Sequence, residues 1–374
     1  MIHPSVYSET LLQFLAPVRP FIEDATVSEV MINGPGQVYV ERRGKLEKVP
    51  VRFAGTDAIL CALNNAAQFV GKELDEQHPI LEARMPDGSR LQAVIPPAAP
   101  GGPYVSIRRF SSATFSPQKL VAGGSLTQDA CDTLAALVIA KFNVLVAGGT
   151  GSGKTSFLNM LTQFVPDGER IGVIEDSREV QVQREHVFYL ESRPPDPEGQ
   201  GAVSIRDLFR ATLRMRPDRI IIGEIRGGEA LDIIQAMVSG HGGCLGTLHA
   251  THPRDTLTRL ETMAMMSDVQ MPLVALRLQI ASGVNFIAQV SRYRDGTRKL
   301  THLTEVLGVD MATGRYQLQD IFVRHHFGED GAGVLASELT PTGQLPTQLE
   351  QLAQYGVKLP DAVLVAAKGA GASA

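Results

Sequence analysis

The sequence predicts an α/β fold, with a parallel sheet forming the larger part and a smaller α+β domain ahead of it. Two textures and one segment support this. After Thr127, apolar strands alternate with amphipathic helices, as in a parallel sheet covered on both faces. Up to about residue 110, short alternating stretches are separated by tight turns, as in an antiparallel sheet. The Gly-rich segment GGTGSGKT lies between an apolar strand and a helical stretch.

Taken in order, apolar spacing over 5–21 suits a short helix ended by Pro17 and Pro20. VSEVMIN, QVYVER and LEKVPV read as strands parted by turns at Asn33-Gly34-Pro35-Gly36 and Arg43-Gly44. A helix over 57–70 follows, then a hairpin turning at Asp87-Gly88, then the strand YVSIRRF. SSATFSPQKLVAGGS, rich in small residues, reads as a linker. In the larger part the strands are NVLVAG, RIGVIED, VFYLES, RIIIGEI and CLGTLHA, with helices over 154–164, 205–215, 228–239 and 254–266. Past Ile280, NFIAQVSRY and TEVLGVD suggest antiparallel strands added at the sheet edge. The stretch from Gly328 to Thr347 reads as loose, and 348–355 as a small helix. The expected organisation is an N-terminal domain over 1–110, a linker over 111–126, a main domain over 127–325 and a tail over 326–374.

With 374 residues, the chain is long enough for two or three cores. Apolar residues at 44% and charged residues at 20% are ordinary globular usage and exclude wholesale disorder. A net charge of -5 gives no global attraction to phosphate backbones or anionic lipid. The longest apolar run, from Leu134, is broken by Lys141 and Asn143 and falls short of the roughly 20 residues of a membrane helix. The N-terminus lacks a basic segment followed by an apolar one, so no secretory signal is expected. Cys61, Cys131 and Cys244 are odd in number and far apart, which argues against a disulfide framework or a thiolate zinc site. A reduced, cytoplasmic protein is expected.

Gly148 to Thr155 satisfies G-x-x-x-x-G-K-[ST] in the strand-loop-helix context that a phosphate-binding loop requires. Its glycines let backbone N–H groups face phosphate oxygens, and the helix N-terminus adds positive potential. Gly148, Gly149, Thr150, Gly151, Ser152, Gly153, Lys154, Thr155 and Ser156 are the candidate ATP-binding residues. Lys154 would reach the terminal phosphates, and the Thr155 hydroxyl would ligate Mg²⁺.

RIIIGEIRGGEA brings Glu224 to the C-terminal end of a buried strand, the edge where ligands of open parallel sheets gather. There Glu224 would orient or deprotonate the attacking water. The plainer reading is a strand-end carboxylate paired with Arg226. Glu175-Asp176 ends RIGVIED at the same edge, as a candidate water or Mg²⁺ partner or as a solvated strand terminus. His249, ending GTLHA, would touch the γ-phosphate there or serve as a structural histidine.

Five segments together resemble the secretion and pilus-assembly ATPases of type II, type IV and Flp/Tad systems, specifically the CpaF-like branch. They are GGTGSGKT, VIEDSREV, ESRPPDPEGQGAVSIRDLFRATLRMRPDRIIIGEIRGGEALD, SGHGGCLGTLHATHPRDTLTRLE and QIASGVNFIAQVSR. In order they are similar to that family's Walker A, Asp box, Walker B and His box, and the likeness covers roughly residues 27–322. It implies a RecA-like P-loop ATPase domain with a smaller α+β N-terminal domain. It also implies ATP and Mg²⁺, a homo-hexamer, and a cytoplasmic motor peripheral at the inner membrane that works on a membrane platform protein, with no nucleic acid. By resemblance Glu175 belongs to the Asp box, Glu224 is the Walker B glutamate and His249 the His-box residue. Arg90 and Arg108 match N-domain arginines directed at the phosphates, and Arg210 and Arg214 a pair bordering the site. The plainer reading of Arg210 and Arg214 is a solvated helix face. The sequence departs from the family in having Cys244 for the usual Ser, in lacking the tetracysteine module of type II ATPases, and in an expected lack of the longer N-terminal extension.

A RecA-like nucleic-acid translocase would use the same phosphate loop. The net charge, the lack of Trp and the 6% aromatic content weigh against it. A nucleotide-sensing scaffold is the third reading, opposed by the retention of Glu175, Glu224 and His249.

Overall fold

The computed structural model describes residues 4–85, 87–109, 116–196, 199–329 and 335–371. The chain divides into two units, Met1–Ala113 and Thr114–Ala374, and each is described by itself.

The first unit is built on a six-stranded sheet of β1 (Val27–Asn33), β2 (Val38–Arg42), β3 (Lys45–Val49), β4 (Ile80–Arg84), β5 (Arg90–Val94) and β6 (Tyr104–Arg108). The spatial order is β3-β2-β1-β6-β5-β4, with every pairing antiparallel. Arg43 and Gly44, at φ 49° and 79°, supply the two positive-φ positions of the tight turn between β2 and β3. Alternate strand residues such as Val30, Ile32, Val40, Leu91 and Ile107 join Ile59 and Leu63 of the helix Thr56–Phe69 in one core. The single N-terminal helix expected over 5–21 is two, Pro4–Phe14 and Arg19–Glu23. Pro20 lies in the first turn of the second, where its missing N–H has no intrahelical partner to lose.

Of the expected linker, residues 111–115 lie outside the described residues. The rest is more ordered than its composition suggests, because Pro117–Ala122 forms a helix whose N-cap Ser116 accepts the backbone N–H of Lys119.

The second unit holds a nine-stranded sheet. Its strands are β7 (Val144–Gly148), β8 (Ile171–Glu175), β9 (Val187–Glu191), β10 (Arg219–Ile222), β11 (Leu245–His249), β12 (Phe286–Arg292), β13 (Arg298–Asp310), β14 (Arg315–Glu329) and β15 (Leu335–Pro341). They lie in the order β15-β14-β13-β12-β7-β11-β10-β8-β9. The strands from β12 to β9 are parallel, and β13, β14 and β15 extend the sheet as antiparallel neighbours. β7 is buried along its whole length and divides its side chains between two cores. Val144 and Val146 pack with Phe157, Leu158 and Leu161 of the helix Lys154–Thr162, whereas Leu145 and Ala147 pack with Ile233, Ile234 and Leu257 on the other face.

Three expectations need correction. β12 is an internal strand parallel to β7, because Phe286 to Val290 are buried on both faces as in a central strand. The stretch expected to be loose contains β15, paired with β14, and its end is tied down at Thr347, whose backbone N–H donates to the buried Glu305 at 2.9 Å. Residues 330–334 of that stretch lie outside the described residues. The tail contributes Leu339, Leu352, Leu359 and Val363 to the core. Helices Gln128–Ile139 and Leu273–Gly283, which were not expected, are apolar on more than one side and so lack a clean 3.6-residue period.

Leu339 is 3% exposed within that core, so Leu339→Ala should cost about 2–5 kcal/mol, read as a lowered urea midpoint at unchanged slope. An unchanged midpoint would show that the C-terminal segment adds nothing to the fold.

Candidate active site

The C-terminal ends of four adjacent parallel strands, β7, β11, β10 and β8, carry the candidate residues. β7 ends at Gly148, and the backbone there passes so close to its neighbours that an added Cβ would lie 2.5 Å from the Val290 carbonyl oxygen. The loop then turns through Gly151 and Gly153, at φ 69° and 90°, into the helix beginning at Lys154. Side chains with a Cβ disfavour both values, which is why the motif needs glycine there. Ser152 Oγ donates to the Gly149 carbonyl at 2.8 Å and braces the loop from within.

Lys154 is only 8% exposed. Its ammonium donates to the Gly149 carbonyl at 3.1 Å and lies 3.3 Å from Nδ1 and 3.2 Å from Nε2 of His249. His249, the last residue of β11, places Nε2 2.7 Å from Oε1 of Glu224, two residues past the end of β10. A neutral ring protonated on Nε2 satisfies both neighbours: it donates to Glu224 and leaves Nδ1 to accept from Lys154. Arg226 Nε donates to Glu224 Oε2 at 2.7 Å, and Arg226 Nη1 lies 2.7 Å from Asp176 Oδ2, just past β8. A chain of polar contacts, Lys154, the neutral His249, Glu224, Arg226, Asp176, thus crosses the sheet edge in the spatial order of its strands.

Glu175 is 4% exposed, and its Oε1 accepts the backbone N–H groups of Glu179 at 3.0 Å and Val180 at 2.9 Å. Its stem fills the space above Gly223, where an added Cβ would fall 2.6 Å from Glu175 Cγ. The result is a folded-back loop that brings Glu179 to Thr155, whose hydroxyl donates to Glu179 Oε2 at 3.3 Å. Glu179 was not singled out from the sequence. Its position four residues after Glu175, in the same acidic segment, was the available signal.

Arg210 pairs with Asp232 at 2.8 Å, as Arg206 does at 2.6 Å, on the exposed face of the helix Ile205–Thr212. Arg214 lies beyond the end of that helix, so the two arginines are not a helical i,i+4 pair. The structure thus does not join Arg210 to the Lys154–His249–Glu224 set. Arg90 and Arg108 belong to the first unit, directly opposite each other on β5 and β6, with Arg84 opposite Arg90 on β4. On the other side of Arg108 the same register places Glu29 of β1, so the row of like charges ends beside a carboxylate.

Residues 12–315 match the family described as Type II/IV secretion system protein. The chain belongs to that family. It is 32% identical to a putative conjugal transfer protein of Mycobacterium tuberculosis, a match covering 85% of this chain and 91% of that one. It is also 32% identical to the type IV secretion system protein VirB11 of Brucella suis, covering 78% and 88%. Among solved structures, the pilus retraction motor PilT with bound ADP aligns at a TM-score of 0.54 and 18% identity, covering 93% of this chain and 86% of that one. The Legionella pneumophila ATPase DotB aligns at 0.53 and 17%, covering 96% and 87%. These likenesses show the fold, a RecA-like P-loop ATPase domain with a smaller α+β N-terminal domain. The chain is an ATPase of the secretion family. No helix among the described residues is long and apolar enough to cross a membrane.

Burial, and then the Lys154 charge, lower the His249 pKa below the ordinary imidazole value, against the opposing pull of Glu224. The unfolded chain therefore takes up this proton at higher pH than the native one. The stability His249 contributes is present above the unfolded value, about 6.5, and is lost as pH falls through the lowered native value. Thermal melts from pH 8 to pH 5 should show a steeper acid loss for the native protein than for His249→Gln. Parallel profiles would contradict this protonation state.

Proposed function

We propose that this protein is a homo-hexameric motor that hydrolyses Mg-ATP to power assembly or export by an envelope machine of the Flp/Tad pilus type. It would work in the cytoplasm against an inner-membrane platform protein. The observation carrying this reading is the Lys154–His249–Glu224 line beside the phosphate loop, which places a cation, a neutral imidazole and a carboxylate on one strand edge. Family membership and the fold support it, and the names of the relatives point to secretion and conjugal transfer.

The residues present fit nucleotide and metal. Gly151 and Gly153 hold positive φ, so the loop cradles rather than fills the space at the helix N-terminus, and Lys154 sits at its end. The Thr155 hydroxyl next to Glu179, with Asp176 on the same edge, is the hard-oxygen donor set a divalent cation takes. Such a cation would neutralise charge on the phosphate oxygens.

On this reading the backbone from Gly148 to Ser156 and the Lys154 ammonium bind the phosphates, and Thr155 and Glu179 hold Mg²⁺. Glu224 orients the attacking water and takes its proton. His249 holds Lys154 and Glu224 in register and lies where the γ-phosphate would be. Glu175 shapes the loop that presents Glu179. The Arg90 and Arg108 rung would supply positive charge to phosphate oxygens.

Lys154→Ala should reduce phosphate release to background with an unchanged circular dichroism spectrum, and wild-type turnover would sink the reading. Glu224→Gln keeps shape and hydrogen bonding, so nucleotide binding should persist while turnover falls about 10²-fold or more. If calorimetry showed binding lost with turnover, Glu224 would be a holding group rather than the base. Native mass spectrometry of the wild type should give a six-fold mass, and a monomer at all concentrations with nucleotide would reject the ring.

A further inference from the structure

One interaction at the phosphate loop lies outside the strand-edge chain described above. Arg298, the first residue of β13, donates through Nε to the Gly151 carbonyl at 2.8 Å, across 147 residues of sequence. Its stem also covers the second turning position, because a Cβ added at Gly153 would meet Arg298 Cδ at 3.0 Å. Arg292, the register partner of Arg298 at the end of β12, flanks the loop as well, with Nη1 3.1 Å from a Cβ built at Gly151. Arg298 and Arg292 thus both border the glycines that give the loop its shape.

The hairpin presenting them is braced. Tyr293 N–H donates to the Thr297 carbonyl at 2.8 Å, and Asp295 Oδ1 accepts the Thr297 N–H at 2.8 Å and its hydroxyl at 2.6 Å. Arg298 is thus carried on a fixed turn of the sheet, with little conformational freedom to lose on holding the loop.

We propose that Arg298 is a positioning residue that fixes the phosphate loop for nucleotide from outside the Walker segment. The inference rests on the reading of Gly148 to Thr155 as a phosphate site. The peptide between Gly151 and Ser152 is planar and trans, so anchoring the Gly151 oxygen also fixes the opposed direction of the Ser152 N–H, which donates at 3.4 Å to the Gly149 carbonyl until a phosphate replaces it. Without that anchor, two glycines at positive φ leave the loop free to rotate the peptide and turn its carbonyl toward the phosphates, where it repels them. Arg298 thereby selects the anion-binding form of the loop. Its positive charge also adds to the potential there. Because it acts equally on bound substrate and on the transition state, its loss raises KM and leaves kcat.

The test compares purified full-length Arg298→Ala, Arg298→Lys and Arg294→Ala, the last a control on the exposed face of the same turn. Calorimetry gives Kd for Mg-ADP, phosphate release gives KM and kcat, and melting is followed without nucleotide. For Arg298→Ala the expected result is Kd and KM raised about tenfold, kcat within about threefold, and an unchanged nucleotide-free melt. Arg298→Lys should recover part of the affinity, since an ammonium can still donate to Gly151, and Arg294→Ala should match the wild type. Unchanged Kd in Arg298→Ala would overturn the proposal. So would a lowered nucleotide-free melt with kcat reduced as much as affinity, which is the mark of a merely structural residue. A wild-type protein that binds no nucleotide would overturn the phosphate-site reading, and the proposal with it.

Discussion

A nearly buried ammonium has to be satisfied whether or not a phosphate is present, and at Lys154 this requirement organises the whole strand edge. Its partners include the Gly149 carbonyl and His249, the His249 ring is held by Glu224, and Glu224 is held by Arg226. Gly149 and Lys154 follow β7, His249 ends β11, and Glu224 and Arg226 both follow β10, so these contacts exist only if the strands keep the order β7-β11-β10. A phosphate, being an anion, would compete on favourable terms with a neutral carbonyl or imidazole for this ammonium.

Close packing sets the second condition. Gly148 and Gly223 are glycines because the backbone or a buried side chain occupies the space of a Cβ. At Gly223 the occupant is Glu175, whose carboxylate is committed to the backbone N–H groups of Glu179 and Val180. One acidic residue therefore shapes a loop so that another, Glu179, meets Thr155. A buried carboxylate accepting main-chain hydrogen bonds is a rigid support, and this division of labour suits a site that must hold its geometry through repeated turnover.

Much of this was legible in the sequence. The phosphate loop follows from glycine spacing in a strand-loop-helix context, and Glu224 and His249 from their places at the ends of apolar runs. Glu179 was not, because a second carboxylate in an acidic segment carries no periodic signal and its role depends on how Glu175 folds the loop. Arg298 was not, because its partner is a backbone carbonyl far away in sequence. The helix Gln128–Ile139 escaped because burial on several sides erases amphipathic periodicity, and Leu273–Gly283 because it exposes Leu273, Val274 and Leu278 as well as burying Leu276 and Ile280. The C-terminal strand was hidden by its Gly- and Pro-rich surroundings, yet it is ordered by pairing with β14 and by the anchor of Thr347 on Glu305.

On the function proposed here, the loop ending β7, with Thr155 and its neighbouring carboxylates, forms a metal-assisted phosphate site. Its most direct test is ATP hydrolysis by the purified wild-type chain in excess Mg²⁺ and again in excess EDTA. Phosphate release should be linear in time with Mg²⁺, fall to background with EDTA, and return when Mg²⁺ is restored. Turnover unaffected by EDTA, or absent under all three conditions while the protein remains folded, would contradict it.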